Sequence, residues 1–334
     1  MDSVSANRKR GTQKKWTLAT LFIALVFVMV IFEETTAPPD VSASIHVSGS
    51  AAFSAPPNFH EITKRVTVVK NLSYHDSPNS LLDIYYPKEA VDSMPVILWI
   101  HGGGYVGGSK ESRQDYAMSL ANAGYVVANI DYSLAPTALY PGPVVQANEA
   151  LAYMKIHASQ YGGDMERVFI GGDSAGAQIS SQIAALISNV ELANNMAIQP
   201  AISSNQLQGA LLLCGIYNMD TLRTTAFPNI DFFLTAYTGA EPFESFAKID
   251  ELSTVQHISS DFPPVFITAG DADPFVSQSI ELVDVLQAYD VQVASVFFKG
   301  TQKNLKHEYQ YDLYTDDARE TLKKTLDFLA VYSK

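Results

Sequence analysis

Gly172-Asp173-Ser174-Ala175-Gly176 places a serine between glycines where an apolar run, 168–170, gives way to a helical window, 175–188. At a strand–turn–helix junction of this kind the hydroxyl is thrust above the sheet and becomes available as a nucleophile. A turn so tight leaves no room for side chains at the flanking positions, and glycine removes them. Taken alone, the pattern also suits a serine that caps a helix between loop glycines. A second element favours the nucleophile. His101-Gly102-Gly103-Gly104 follows the apolar run 96–100. Attack on an acyl carbon builds negative charge on the carbonyl oxygen, and each preorganised N–H aimed at it is worth about 2.7–4 kcal/mol. Glycines leave their N–H groups open to approach, so the amides of Gly103 and Gly104, with that of Ala175, are the candidate oxyanion-hole donors. A phosphate-cradling loop is the rival, but no Lys-Ser/Thr pair follows these glycines. His101 is expected to hold the loop rather than to carry a proton, and Asp173 to be a hydrogen-bonding acid of the turn. Tyr105, next to the glycines, is a candidate wall of the substrate pocket, a position that ordinary packing explains equally well.

A serine hydroxyl attacks poorly until a histidine takes its proton, and that histidine needs a carboxylate to fix its tautomer. Two histidines follow Ser174 in the chain, His257 and His307. His257 precedes any acid at a strand end and reads as a loop or surface residue. His307 lies in a polar loop after the apolar run 291–298 and fits the order serine, acid, histidine. The run 265–268 ends in Ala269-Gly270-Asp271-Ala272-Asp273-Pro274, which offers two carboxylates. Asp273 is the candidate, because a residue before proline is restricted to extended backbone and can project sideways. Asp271 is then expected to serve the turn. Chemistry of this kind calls for no metal and no organic cofactor.

The elements that must position these groups alternate along the chain. Runs at 65–69 and 81–86 read as opening strands, and those at 96–100, 125–130, 168–170, 210–213, 265–268 and 291–298 as mostly buried strands. Helical windows near 112–123, 144–160, 175–188, 276–289 and 316–332 fall between or after them. Strand and helix in turn imply an α/β fold: a mostly parallel sheet with helices on both faces. Residues 217–261, rich in aromatics and acids, break the rhythm and read as an insertion capping one end of the sheet, with Tyr217 and Phe232-Phe233 as its apolar members.

The chain has 47% apolar and 17% charged residues, which excludes a wholly disordered chain, a collagen and a coiled coil. Its single cysteine, Cys214, excludes an internal disulfide, and no Cys/His cluster has zinc-site spacing. Residues 1–15 hold five of the 22 basic residues and one of the 35 acidic ones, leaving 17 against 34 in the remainder. So acidic a body disfavours nucleic acid as a partner. The apolar segment 16–32 follows the basic tail and is closed by Glu33 and Glu34. It is expected to be a transmembrane signal anchor, with residues 1–15 cytoplasmic and the body beyond the membrane; a cleaved signal, giving a secreted protein, is the alternative. Residues 33–61 read as a flexible tether and 62–334 as the folded domain.

Taken together, the motifs resemble those of the α/β-hydrolases of the hormone-sensitive-lipase-like esterase group. The resemblance runs over about residues 62–334. It rests on His101–Gly104 (HGGG), Gly172–Gly176 (GDSAG), the stretch Asp131-Tyr132-Ser133-Leu134-Ala135-Pro136, the acid motif Asp273-Pro274-Phe275, and His307. Ser133, Thr137 and the Glu308-Tyr309 pair depart from the usual Arg, Glu and Gly-Phe. The resemblance implies a carboxylic ester hydrolase with a cap, acting through Ser174, His307 and Asp273 on small acyl esters, with short acyl chains preferred. Two alternatives stay open: the same machinery on an amide, as in an arylformamidase, and a membrane-tethered binding module without turnover.

Overall fold

The computed structural model of the chain describes residues 53–77, 79–89 and 93–334. The basic tail 1–15, the apolar segment 16–32 and most of the 33–61 stretch lie outside the described residues. Among the described residues no helix is long and apolar enough to cross a membrane.

In chain order the strands are β1 (Val66–Ser73), β2 (Leu81–Pro87), β3 (Met94–Ile100), β4 (Val126–Ile130), β5 (Gly163–Asp173), β6 (Leu207–Leu213), β7 (Val265–Ala269) and β8 (Val293–Phe297). The α-helices are α1 (Phe59–Arg65), α2 (Gln114–Asn122), α3 (Gly142–His157), α4 (Ala175–Ser188), α5 (Val190–Met196), α6 (Ile230–Thr238), α7 (Val276–Ala288) and α8 (Asp316–Tyr332). The strands form one eight-stranded sheet in the order β1-β2-β4-β3-β5-β6-β7-β8. β2 runs antiparallel to both of its neighbours, and the strands from β4 through β8 pair in parallel.

The centre of the sheet shows why. β3 reads MPVILWI and every residue of it is buried, as a strand covered on both faces requires. Successive side chains point to opposite faces. Val96, Leu98 and Ile100 pack with Val144, Leu151, Ile179 and Ile183 of α3 and α4. Ile97 and Trp99 pack with Tyr116 and Leu120 of α2 and Phe328 and Leu329 of α8. Each such side chain, fully buried, contributes about 1.5–3 kcal/mol. This is the predicted sheet with helices on both faces, an α/β-hydrolase fold.

Three expectations need correction. The run 291–298 is not mostly buried: β8 is the sheet edge, paired with β7 alone, and its burial is mixed. Residues 53–61 are not free tether. Ser54 N–H donates to the Tyr311 carbonyl at 3.1 Å and Leu313 N–H to the Ser54 carbonyl at 2.9 Å, and α1 begins at Phe59. Helices α1, α5 and α6 add to the expected set; at seven to nine residues they have too few turns to show a clear period in the sequence. The 217–261 insertion does interrupt the alternation between β6 and β7, with α6 and four short 3₁₀ turns.

The chain leaves β3 for β4 on one side, then crosses to β5 on the other. Open α/β sheets bind ligands outside the carboxyl ends of the strands at such a reversal. Here Ile100 stands in register with Gly172, so His101–Gly104 and Asp173-Ser174 emerge side by side.

Candidate active site

Ser174 takes φ 51° and ψ −119° between β5 and α4, a left-handed conformation held by its surroundings. Its N–H donates to the Leu213 carbonyl at 2.9 Å. The flanking glycines are steric necessities. A Cβ on Gly176 would lie 2.1 Å from the Ile100 carbonyl oxygen, and one on Gly172 2.3 Å from the same atom. Ala175 opens α4, so its N–H has no acceptor within the helix.

In the adjoining loop Gly103 and Gly104 have φ of 120° and 61°. The loop closes through the N–H groups of Val106 and Gly107, both donating to the Gly103 carbonyl, while the amides of Gly103 and Gly104 find no backbone acceptor among the described residues. Gly102, Gly104 and Gly107 also carry G-x-G-x-x-G spacing, but the loop leads to a short 3₁₀ turn, Lys110–Arg113, rather than to a long helix start that would face a pyrophosphate. His101 is buried, its Nδ1 donating to the Gly102 carbonyl at 2.7 Å and its ring stacked on Tyr132 at 4.3 Å. Burial lowers its pKa to about 4, so it is neutral. The Asp131–Pro136 stretch braces the loop: Tyr132 Oη donates to the His101 carbonyl at 3.0 Å and Ala135 N–H to that of Tyr105 at 2.8 Å.

Asp273 and His307 meet. Nδ1 of His307 donates to Oδ2 and Oδ1 of Asp273 at 3.0 and 3.1 Å, with both residues buried. The Phe275 N–H donates to Asp273 Oδ1 at 2.8 Å and fixes the carboxylate. Burial works against a charged imidazole, but the Asp273 carboxylate outweighs it and raises the His307 pKa well above the ordinary value. Asp271 has a different task. It accepts the N–H of Leu305 at 2.7 Å and of Asn304 at 3.2 Å, tying down the loop that leads to His307. Despite its desolvation, these amides hold its carboxyl below the usual range. His257 is remote in partners, its Nε2 bonded to the Asp250 carbonyl at 2.9 Å.

A buried ion cluster joins the two halves of the site. Arg113 donates through Nε to Asp173 Oδ1 at 2.8 Å and through Nη2 to Asp173 Oδ2 at 2.6 Å. The same Nη2 reaches Glu308 Oε1 at 3.0 Å. One guanidinium thus links the neighbour of Ser174 to the neighbour of His307. Tyr311 Oη at 2.6 Å and the Gly102 N–H at 3.1 Å complete the Asp173 set. Desolvation alone would raise the Asp173 pKa, but Arg113 overrides it and holds the group ionised. Phe53 and Tyr311 stack on the guanidinium at 4.6 and 4.4 Å. Sequence reasoning missed Arg113, since a buried arginine inside a helical window leaves no local signal. Glu308 was visible only as a departure from the resembling motif.

Among the described residues one group offers three converging metal donors, Cys214, Asp273 and His307, within 4.8 Å of one another. Its imidazole nitrogen is already engaged by the carboxylate, Gln310 Nε2 donates to the Cys214 sulfur at 3.2 Å, and burial raises the thiol pKa. The arrangement is a hydrogen-bonded pair with a neutral thiol packed beside it.

Aromatic side chains close round the histidine. Phe227 and Phe275 approach the His307 ring edge-on at 5.4 and 5.3 Å. Phe233, from α6 of the insertion, packs so tightly on the glycine loop that a Cβ on Gly104 would fall 2.5 Å from its Cδ1. The insertion therefore covers the glycine loop, while Phe232 beside it stays exposed. Tyr105 does not stand out as a pocket wall. It is 1% exposed, its ring stacks on Tyr237 at 3.8 Å, and its hydroxyl donates to Gln178 at 3.1 Å. That is the packing alternative, an anchor for the loop.

The BD-FAE family model matches residues 82–286, more than half of the chain. A probable carboxylic ester hydrolase of Mycobacterium tuberculosis, LipM, is 31% identical over 204 residues, covering 59% of this chain and 46% of that one. An acetyl esterase of Salmonella schwarzengrund is 26% identical over 253 residues, covering 70% and 72%. The chain spans about half the length of the first curated relatives it matches. Among solved structures, an inhibited esterase B of Lactobacillus rhamnosis superposes with a TM-score of 0.73 at 24% identity, over 84% of this chain and 89% of that one, which establishes the shared fold. Agreeing with the resemblance drawn from the glycine and serine motifs, these matches show that the chain belongs to the BD-FAE family.

Proposed function

We propose that the protein is a serine hydrolase of carboxylic esters that works through an acyl-enzyme. Ser174 attacks the carbonyl carbon as His307, oriented by Asp273, takes the hydroxyl proton. The amides of Gly103, Gly104 and Ala175 receive the charge that develops on the carbonyl oxygen. His307 then returns the proton to the departing alcohol and activates the water that releases the acid. The observation that carries this reading is the buried His307–Asp273 pair, linked through Glu308, Arg113 and Asp173 to the turn that bears Ser174. A fluorophosphonate should label the folded protein stoichiometrically and leave Ser174→Ala unlabelled. An unlabelled wild type sinks the reading in favour of a binding module.

The substrate reading is short acyl esters. Support for it comes from the aromatic groups packed against His307 and the glycine loop, and from the acetyl esterase named above as a relative. Turnover of p-nitrophenyl esters should be highest at two to about four acyl carbons; a maximum at sixteen overturns this part. An N-formyl aromatic amide, offered in parallel, decides between ester and amide. Segment 16–32 is proposed to anchor the chain in a membrane with the hydrolase domain on the far side, supported by its apolar run after five basic residues. Release of the protein from membranes by alkaline carbonate refutes the anchor.

A further inference from the structure

Glu308 follows His307 directly and holds a left-handed backbone, φ 62°, that glycine adopts freely and glutamate does not. Its side chain compensates by what it touches. It is 8% exposed and accepts from Arg113 Nη2 at 3.0 Å, the same nitrogen that donates to Asp173 Oδ2 at 2.6 Å. Two carboxyls that share one guanidinium nitrogen in a buried site disfavour ionising together. Arg113 and Tyr311 hold Asp173 ionised, while burial pushes the Glu308 carboxyl up to about 7, so below that pH Glu308 carries a proton. In that state the cluster holds one cation, Arg113, and one anion, Asp173. The other titratable groups around it are His307 on its own loop, Cys214 at the end of β6, Tyr311, and His101 behind Asp173.

We propose that Glu308 is a positioning residue: through Arg113 Nη2 it fastens the loop bearing His307 to Asp173 at the turn that bears Ser174, and so sets the imidazole relative to Ser174. The proposal rests on the reading of Ser174 and His307 as nucleophile and base. Loss of the Glu308 proton places a second carboxylate beside Arg113, and the new negative charge strengthens the hold of His307 on its own proton. That leaves less neutral imidazole.

The test uses the full chain, p-nitrophenyl acetate turnover from pH 5.5 to 9, and an NMR titration of the His307 ring. Glu308→Gln keeps the shape and the oxygen that accepts from Arg113 but cannot ionise. Glu308→Gly suits the backbone and removes the bridge. Glu308→Gly should lower kcat by about tenfold or more with KM within about twofold, as a small misplacement of a catalytic group does. Glu308→Gln should restore most of that loss and move the His307 midpoint down by up to about one pH unit, the effect of removing one nearby anion. A merely structural role would alter thermal unfolding and move neither readout. If Glu308→Gln leaves the midpoint and the pH profile where the wild type has them, the proposal is overturned, whether or not the glycine variant folds. The NMR midpoint needs no turnover: a wild type inert toward every ester refutes the catalytic reading, whereas an unmoved midpoint refutes the bridge.

Discussion

Replacing Gly104 by alanine tests the oxyanion assignment at the point where the cap meets the glycine loop. The added Cβ would stand 2.5 Å from Cδ1 and 2.9 Å from Cγ and Cε1 of Phe233, at a φ of 61°. A side chain in the left-handed region costs roughly 1–2 kcal/mol, and the Phe233 ring, 3% exposed, has little room to retreat. The loop should therefore shift and turn the Gly104 amide away from the reacting oxygen. Loss of one such donor is worth about 2.7–4 kcal/mol, or roughly 10²–10³ in kcat. Because the interaction forms only in the transition state, kcat and kcat/KM should fall together while KM stays within about threefold. Adding Phe233→Leu removes the ring but leaves the backbone strain, and should recover about tenfold of the lost rate, a coupling of roughly 1.4 kcal/mol. The assay is steady-state hydrolysis of p-nitrophenyl acetate by the two single variants and the double. If Gly104→Ala keeps more than a third of wild-type kcat, the Gly104 amide does not hold the oxyanion and the assignment fails.

Other expectations follow from the same geometry. Asp273→Asn should lower kcat by about 10⁴ by favouring the wrong imidazole tautomer, while Asp271→Asn, which only loosens the loop, should cost less than about tenfold in kcat; equal losses would mean that the acid has been misassigned. Activity needs neutral His307, so kcat/KM should rise with pH through a midpoint above the ordinary 6.5, and a midpoint below 6 contradicts the buried pair. The raised histidine also stabilises the fold: its contribution is complete below the unfolded value near 6.5 and is lost as pH climbs through the folded pKa. Denaturant unfolding of wild type against His307→Ala across that window should show the difference shrinking upward. Arg113→Met leaves Asp173 buried without its cation and should destabilise the domain by about 3–5 kcal/mol, lowering Tm by roughly 6–20 °C; a shift under 2 °C would show that the cluster is not held together by charge.

The tight turn at Ser174, the glycine loop, and the strand-end Asp273 and loop His307 that meet were each legible in the sequence because each is a local demand. Gly172 and Gly176 are needed where a Cβ would strike the Ile100 carbonyl, and Asp273 stands before a proline at a strand end. The continuous apolar runs of β3 and its neighbours are equally local. What the chain could not show was which distant side chains meet. Arg113 bridges Asp173 to Glu308 across separations of 60 and 195 residues, and nothing near any of them announces the partner. Phe233 closes on Gly104, and Tyr105 turns inward to Tyr237, because α6 folds back over the loop. The mixed burial of β8 likewise follows from its place at the sheet edge. Composition and spacing determine which groups can react and which turns can form. Burial, charge balance and the company of each side chain arise only when strands distant in sequence lie side by side, since those are properties of the packed interior.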